Sequence, residues 1–321
     1  MTTAAVALEK RDLSKIKAWL PKYGVYLAIV LLVLYNVFFT PYFLTWSNLR
    51  IQLIQVAPVV IVALGMALVI GTEGIDLSVG SVMALAAALI PLYLGYGVGA
   101  AILVSLLAGV VVGLINGVLV ARVGLQPIVA TLALFVGGRG LAVVISEGKL
   151  KDVRNPDLIQ LGSGDLLGIP ILVWIAAALV LVVAFLVRRT VFGRRLLAIG
   201  GNRPATELAG LPVKRVLITV YVLCAVLASI AGLLSVARIQ SSDASAVGLL
   251  IELSAITAVV VGGTPLTGGR VRVFGTVAGA LLMQLVIATM IKHNLPPSTT
   301  EIAQAVIILI AVYVARERKS R

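Results

Sequence analysis

The sequence has little of what a soluble enzyme uses for chemistry. It contains one cysteine and one histidine, Cys224 and His293, which excludes an intramolecular disulfide and leaves little room for a metal site. The motifs GxxxxGK[ST], HExxH and GxSxG are missing, and no Ser/His/Asp set can be assembled around His293. We therefore expect no catalytic residue, no metal site and no cofactor bound by this chain.

Charge is scarce as well. Charged residues make up 12% of the 321 residues and apolar residues 60%, whereas soluble domains are roughly 25% charged. A soluble core of this length could not bury so much apolar surface, so lipid must be the solvent for most of it. The net charge of +13 lies in clusters beside apolar runs, as membrane topology requires, so we expect a lipid bilayer and no nucleic acid as partner.

What the sequence has instead is a series of apolar runs. They predict an all-α polytopic protein of one transmembrane domain over 1–321, with about ten spans at 23–40, 51–72, 75–94, 98–121, 124–145, 168–187, 215–237, 247–262, 272–291 and 298–315. The third and eighth are short or interrupted by glycine and acids. No cleavage pattern follows the first run, so we expect it to be an uncleaved span. Most of the 26 lysines and arginines fall on one side when both termini are cytoplasmic, which selects that orientation.

Small residues recur at fourth positions in two of these runs. Gly109, Gly113 and Gly117 share one helix face, and Gly275 and Gly279 share another. Such faces let two helix backbones approach closely. They indicate packing within one bundle or, alternatively, a subunit interface.

The central island, residues 188–215, is the one sizeable polar and basic segment between spans, and it is predicted to be cytoplasmic. Asn202 or Thr206 could cap a short helix that has Pro204 in its first turn and stops at Gly210. The helix could lie in the lipid headgroups. Docking into a soluble protein is the other interpretation, and it is favoured because Asn202, Thr206 and Glu207 are poor lipid-facing residues.

Two short polar interruptions resemble each other, residues 73–81 and 262–270. Aligned at an offset of 189 they share Gly, Leu, Ser/Thr and Gly, which suggests an internal repeat with interrupted helices. Glu73, Gly74, Asp76 and Ser78 predict a helix break in a substrate pathway, because charge inside hydrocarbon tends to face a cavity or a partner. The alternative is that Asp76 or Ser78 only caps the next helix.

Further polar side chains within the spans could face such a pathway or only join helices by hydrogen bonds: Gln55, Asn116, Gln126, Thr131, Arg139, Glu252 and Thr257. The aromatic content of 6% is thin for a high-affinity sugar pocket.

Five ordered motifs carry a family resemblance: PYFLTWSNL at 41–49, GIDLSVGS at 74–81, QPIVATLAL at 126–134, GNRPATELAGLPV at 201–213 and VVVGGTPLTGGRVRVFGTVAGALL at 259–282. Together they resemble the permease subunits of ATP-binding-cassette importers for ribose, xylose, arabinose and galactofuranose. The sequence departs from the pattern at Glu73, where a glycine or another small residue is more common, and at Pro265, where serine or alanine is common.

The resemblance implies the ribose-permease type of fold and a dimer formed with a second copy or a paralogue. It also implies a location in the bacterial inner membrane. An extracytoplasmic binding protein would deliver a monosaccharide, and a separate ATPase subunit would use ATP, so this chain would not be an enzyme. The central island would contain the coupling helix, at about 201–212.

The resemblance implies a set of coupling residues, and the two polar interruptions together with polar side chains of the spans predict a set of pathway residues. The coupling residues are Gly201, Asn202, Arg203, Thr206, Glu207, Leu208 and Gly210. The pathway and hinge residues are Glu73, Gly74, Asp76, Ser78, Gly80, Asn116, Gln126, Thr131, Gly263, Thr264, Gly268 and Gly269. A cation-coupled secondary sugar carrier is the alternative function, although it would need a cluster of acids at mid-membrane depth. An intramembrane enzyme is a further alternative, for which the sequence offers no catalytic constellation.

Overall fold

A computed structural model describes residues 24–315, without the side chains of residues 297, 300, 308 and 310–315. The predicted cytoplasmic termini lie outside the described residues. The chain is mostly helical, and its long helices are α1 (Gly24–Phe39), α2 (Trp46–Ile70), α3 (Val79–Tyr93), α4 (Val98–Val118), α5 (Pro127–Ser146), α7 (Ile171–Arg189), α10 (Val213–Ile239), α12 (Val273–Lys292) and α13 (Pro297–Ala315). The shorter elements are α6 (Pro156–Ser163), α8 (Val191–Gly201), α9 (Arg203–Leu208), α11 (Ile251–Val261), β1 (Lys151–Asp152), β2 (Asp165–Leu166), β3 (Ile169–Pro170) and β4 (Ser241–Ser242).

Within residues 24–315, seven helices are long and apolar enough to cross a membrane: Trp46–Ile70, Val79–Tyr96, Val98–Val123, Pro127–Ser146, Ile171–Arg189, Val213–Ile239 and Val273–Lys292. The chain is therefore a multi-pass membrane protein. Two shorter apolar helices are α1 and α11. The total of ten crossings stays a prediction.

The eighth predicted span, 247–262, is helical only over α11. Residues 243–250, which we call the bent segment, are irregular, with left-handed backbone at Gly248 (φ 70°) and Leu250 (φ 57°). Asp243 Oδ1 accepts hydrogen bonds from the backbone N–H groups of Ser245 and Ala246, at 2.9 and 3.3 Å. These local bonds replace the helical ones, so α11 begins only at Ile251.

The centre of the bundle is α10, which packs against α2, α3 and α4. The glycine face of α4 lies against it. A Cβ atom on Gly113 would be 2.6 Å from Val222 Cα, and one on Gly117 would be 2.8 Å from Ile218 Cα. These glycines thus permit close packing within the bundle, as one of the two sequence interpretations predicts.

The elements outside the long helices lie on two faces. The α9 face carries α8 and α9. The α6 face carries α6 and two antiparallel pairs of strands, β1 with β4 and β2 with β3. On the α6 face Lys149 donates a hydrogen bond to Glu147, which lowers the pKa of the Glu147 carboxyl. Arg50 near the start of α2 bonds to Asp165 of β2 at 2.9 Å, so α2 runs from the α6 face towards the α9 face.

Candidate functional site

The short helix α9 is built as its sequence predicts. Asn202 Oδ1 accepts a hydrogen bond from the backbone N–H of Ala205 at 3.0 Å, and Pro204 lies in the first turn. The helix ends at Leu208, and Gly210 follows with left-handed backbone (φ 73°). The side chain of Asn202 is therefore the helix cap, and α9 covers a shorter range than the 201–212 predicted for the coupling helix.

The packing of α9 leaves most of its side chains exposed. Thr206 is buried, and its hydroxyl bonds to the carbonyl oxygen of Ala198 in α8 at 3.0 Å. Leu208 is 91% exposed, and Arg203 bonds to Glu207 at 3.1 Å across one helical turn. Of the predicted coupling residues, Thr206 fixes the helix to α8, whereas Leu208 and Glu207 face outward.

Behind α9 the ends of α2 and α8 meet the loop between α11 and α12 at what we call the glycine junction, formed by Gly71, Gly200, Gly268 and Gly269. The N–H of Gly269 donates to the carbonyl oxygen of Gly71 at 3.1 Å. A Cβ atom on Gly200 would collide with that same carbonyl oxygen. The sequence pattern indicated Gly268 and Gly269, but only the fold brings them to α2 and α8.

The two predicted interruptions have the same backbone turn. The N–H groups of Glu73 and Gly74 donate to the carbonyls of Ile70 and Val69, at 3.0 and 3.1 Å. At the end of α11, Gly263 and Thr264 repeat this pattern with Val260 and Val259, at 2.9 and 3.1 Å. This is the glycine-type helix stop with a left-handed residue, here Glu73 (φ 64°) and Gly263 (φ 84°). The repeat therefore aligns at an offset of one residue more than the sequence comparison predicts.

Four of the predicted pathway residues form a buried polar cluster between α3, α4 and α5: Asp76, Ser78, Asn116 and Thr131, all fully buried. Asp76 Oδ1 accepts from the N–H and the hydroxyl of Ser78, at 2.9 and 2.6 Å. Asn116 Nδ2 donates to Ser78 Oγ at 2.8 Å, and the Leu77 N–H donates to Thr131 Oγ1 at 3.1 Å. The interpretation that Asp76 or Ser78 caps α3 is wrong, because neither side chain bonds to a backbone N–H of that helix.

Two further residues of this site come from α10, and neither was among the residues that the sequence pattern indicated. Tyr221 and Cys224 lie beside Asp76, and a Cβ atom on Gly74 would be 2.8 Å from the Tyr221 hydroxyl. Asp76 Oδ2, Asn116 Oδ1 and the Tyr221 hydroxyl are buried without a hydrogen-bond partner in the described part of the chain. The sequence signal that could have indicated Tyr221 is its hydroxyl group, which stands within an otherwise apolar run.

The other predicted pathway residues lie elsewhere. Gln126 is exposed at the start of α5 and takes no part in the cluster. Gly80 of α3 approaches the bent segment so closely that a Cβ atom there would meet the carbonyl oxygen of Gly248. Arg139 of α5 donates to the carbonyl oxygens of Ala244 and Val247, at 3.1 and 2.8 Å. Its role here is to satisfy irregular backbone in the bundle, as membrane depth requires.

No group of three His, Cys, Asp or Glu side chains that could hold a metal ion occurs among residues 24–315. The expectation that this chain binds no cofactor stays a prediction. The geometry offers buried hydrogen-bonding groups after the end of α2, and direct contacts from α8 to the end of α2 and to the loop after α11.

Comparison with known proteins adds a family to this geometry. The sequence profile described as "Branched-chain amino acid transport system / permease component" matches residues 48–312. The galactofuranose transporter permease protein of Escherichia coli (strain K12) is 40% identical, over 82% of this chain and 78% of the relative. The ribose import permease protein of the same strain is 38% identical, over 94% and 96%.

A third relative, the L-arabinose ABC transporter permease protein of Azospirillum brasilense, is 36% identical over 88% of this chain and 83% of its own length. No solved structure matches the chain.

Proposed function

Because the chain belongs to the family of the permease components of branched-chain amino acid transport systems, we propose that it is the membrane-spanning permease subunit of an ATP-binding-cassette importer for a monosaccharide. The observation that carries this proposal is the 36–40% identity, over most of the chain, to permeases named for galactofuranose, ribose and arabinose. The kinship with sugar permeases that the five motifs predict is thereby confirmed.

The assembly we propose is the one that importers of this kind need. Two copies of this chain, or one copy and a paralogue, enclose the pathway, each with ten spans in a single transmembrane domain. An ATPase subunit binds on the cytoplasmic side and a sugar-binding protein on the other, in the inner membrane of a bacterium. Both termini and the island 188–215 are cytoplasmic, which makes the α9 face the cytoplasmic face. The chain itself hydrolyses nothing and binds no nucleotide.

The proposed coupling element is α9. Its cap and its bond to α8 hold it rigidly, while Leu208 and Glu207 project from it. An exposed leucine beside charged groups suits a groove in a soluble protein, since hydrophobic anchors ringed by polar contacts dominate such interfaces. The glycine junction joins α8 to the end of α2 and to the loop after α11, which belongs to the second interruption. Closure of the ATPase would thus be passed to both interrupted segments, which would act as the hinges of alternating access.

Reconstitution tests this function directly. The purified permease, the ATPase that co-purifies with it and the sugar-binding protein of the proposed assembly are combined in liposomes, and uptake of ribose, L-arabinose, galactofuranose and fructose is measured with and without ATP. We expect uptake of at least one sugar that requires ATP.

A matched variant has residues 202–211 replaced by a glycine/serine linker, and it should keep its place in the membrane but lose the ATPase. Uptake that needs an ion gradient and no ATP would establish the secondary carrier instead.

A further inference from the structure

A cavity of about 370 Å³ lies on the α6 side of the bent segment, between α2 and α10. Gln55 contributes to its wall from α2, Ser235 and Arg238 from α10, and Ser241 and Asp243 from the strand β4 and the residue after it. This volume lies within the range of about 300–1,000 Å³ that small-molecule sites occupy. None of the described side chains that line it is aromatic.

Several polar atoms in this wall have no partner in the described structure. Arg238 Nε and Ser241 Oγ are both buried and make no hydrogen bond. An unsatisfied buried polar group costs about 1–3 kcal/mol. Such groups in the wall of a cavity indicate that a molecule entering it completes their hydrogen bonds.

The amide of Gln55 is oriented by a glutamine cluster. Gln284 of α12 donates from Nε2 to the side-chain oxygens of Gln52 and Gln55, at 2.7 and 2.8 Å. With its oxygen engaged in this way, the Gln55 amide keeps its N–H groups as donors. The wall therefore combines a fixed amide, two hydroxyls and a guanidinium.

We propose that this cavity is a transit site for the monosaccharide, with Gln55, Arg238 and Ser241 bonding its hydroxyls; this inference rests on the proposed function. Sugar hydroxyls can accept hydrogen bonds from the Gln55 amide and the Arg238 guanidinium and donate to the serine hydroxyls, and the lack of an aromatic stacking face keeps binding weak enough for release. Asp243 Oδ1 already accepts bonds within the bent segment. Arg238 and Asp243 still give the wall one charge of each sign, so a zwitterionic amino acid, the substrate class in the family description, is the competing ligand that the test includes.

The floor of the cavity connects it to the α9 face. Val247, Gly248 and Leu249 of the bent segment line the cavity, and the segment leads directly into α11. The eleven residues of α11 extend about 16 Å, half the thickness of the hydrocarbon layer. The loop after α11 carries Gly268 and Gly269 to the glycine junction. A displacement at the junction would therefore move the floor beneath the bound sugar.

Cysteine modification tests the site. Ser241→Cys lines the cavity, and Ser245→Cys is the control, since Ser245 is exposed on the same segment and is not among the lining residues. The native Cys224 is fully buried and gives little background. A membrane-impermeant methanethiosulfonate reagent is added to the reconstituted complex from the α6 side. The rate of modification is followed by mass spectrometry with ribose, L-arabinose, fructose or leucine present.

We expect the transported sugar to slow modification of Ser241→Cys severalfold. Modification of this variant should reduce sugar uptake at least about tenfold. In Ser245→Cys the sugar should not slow modification, and modification should not reduce uptake. Should Ser241→Cys fail to assemble, Ser235→Cys takes its place, because Ser235 lines the same wall. Protection by leucine and by no sugar would overturn the assignment to sugars.

Failure of the site and failure of the function give different results. ATP-dependent sugar uptake by the unmodified complex, with no protection at either lining cysteine, would overturn the site and leave the function intact. Absence of ATP-dependent uptake of every sugar would overturn the proposed function, and the site would fall with it.

Discussion

Two acidic residues just after α2, Glu73 and Asp76, differ in backbone conformation and in burial. Asp76 is fully buried, and one of its oxygens accepts two bonds from Ser78 while the other has no partner among the described atoms. Three residues earlier, Glu73 adopts a left-handed backbone that glycine would adopt without strain. The two acids of this interruption therefore do different things, one bonding in the interior and one standing exposed at a turn.

Replacing Asp76 by leucine should destabilise the protein strongly. The N–H and hydroxyl of Ser78 would lose their shared acceptor in a buried region, at about 1–3 kcal/mol for each group. Asp76→Asn retains an acceptor oxygen of nearly the same shape and should cost clearly less. Thermal unfolding in detergent, followed by loss of the monodisperse size-exclusion peak, compares the two. Equal losses would show that the charge, and not the acceptor, holds the turn.

Replacing Glu73 by glycine should stabilise the turn by up to about 1 kcal/mol. A side chain at left-handed φ destabilises the folded state by about 1–2 kcal/mol, and the greater conformational entropy that glycine loses on folding offsets part of the gain from removing it. Glu73→Ala is the control, since it removes the acid but keeps the Cβ atom. We expect the same thermal assay to rank glycine first, then glutamate and alanine together. A gain in Glu73→Ala as large as in Glu73→Gly would assign the effect to the carboxylate.

At the scale of elements, one side of α9 is bonded to α8 and the opposite side is exposed. Asn202 caps it, Thr206 ties it to α8, and the Arg203–Glu207 pair lies on its exposed surface. Exposed pairs one helical turn apart contribute only about 0.3–0.5 kcal/mol. The charges on α9 thus matter little for folding, and a change in them reports on what binds to the helix.

Exchanging the two charges, Arg203→Glu with Glu207→Arg, should uncouple ATP hydrolysis from uptake. The pair itself is kept, and the acid moves to the helix N-terminus, where the helix dipole favours it, so α9 should stay folded. Expression and thermal stability are measured first, then sugar-stimulated ATPase activity and uptake in liposomes. Unchanged uptake would refute the assignment of α9 as the coupling element.

At the scale of the whole molecule, the two faces decide the orientation in the membrane. The α9 face holds the basic central island, and the α6 face holds the strand pairs and α6. From the positive-inside rule we expect the first of these faces to lie in the cytoplasm. All the interactions proposed above depend on this orientation.

Labelling of introduced cysteines tests this orientation in the membrane. Leu167→Cys on the α6 face and Ala209→Cys after α9 both replace exposed residues, and the native Cys224 is fully buried. An impermeant maleimide should label Leu167→Cys in intact cells and Ala209→Cys only after the membrane is opened. The reverse pattern would invert the topology and exclude α9 from contact with a cytoplasmic ATPase.

The sequence by itself determined the features that depend on neighbours in the chain. The apolar runs predict the long helices, because a backbone in lipid must satisfy its own hydrogen bonds. A cap at Asn202 or Thr206 and an end of α9 near Gly210 follow from local chemistry in the same way, and the structure selects Asn202. The five motifs predicted the kinship with sugar permeases, which the relatives confirm.

Only the tertiary structure decided which distant residues meet. Arg139 reaches the carbonyl of Ala244 from 105 residues away, and Tyr221 comes from α10 to Asp76. The sequence marked the eighth apolar run as short or interrupted, but the start of its helix at Ile251 could not be predicted, because the residues before it are apolar enough for a helix. Its irregular backbone is tolerable only where Arg139 and Asp243 supply hydrogen bonds. Those bonds depend on how the helices pack, and hydrophobic periodicity does not record that packing.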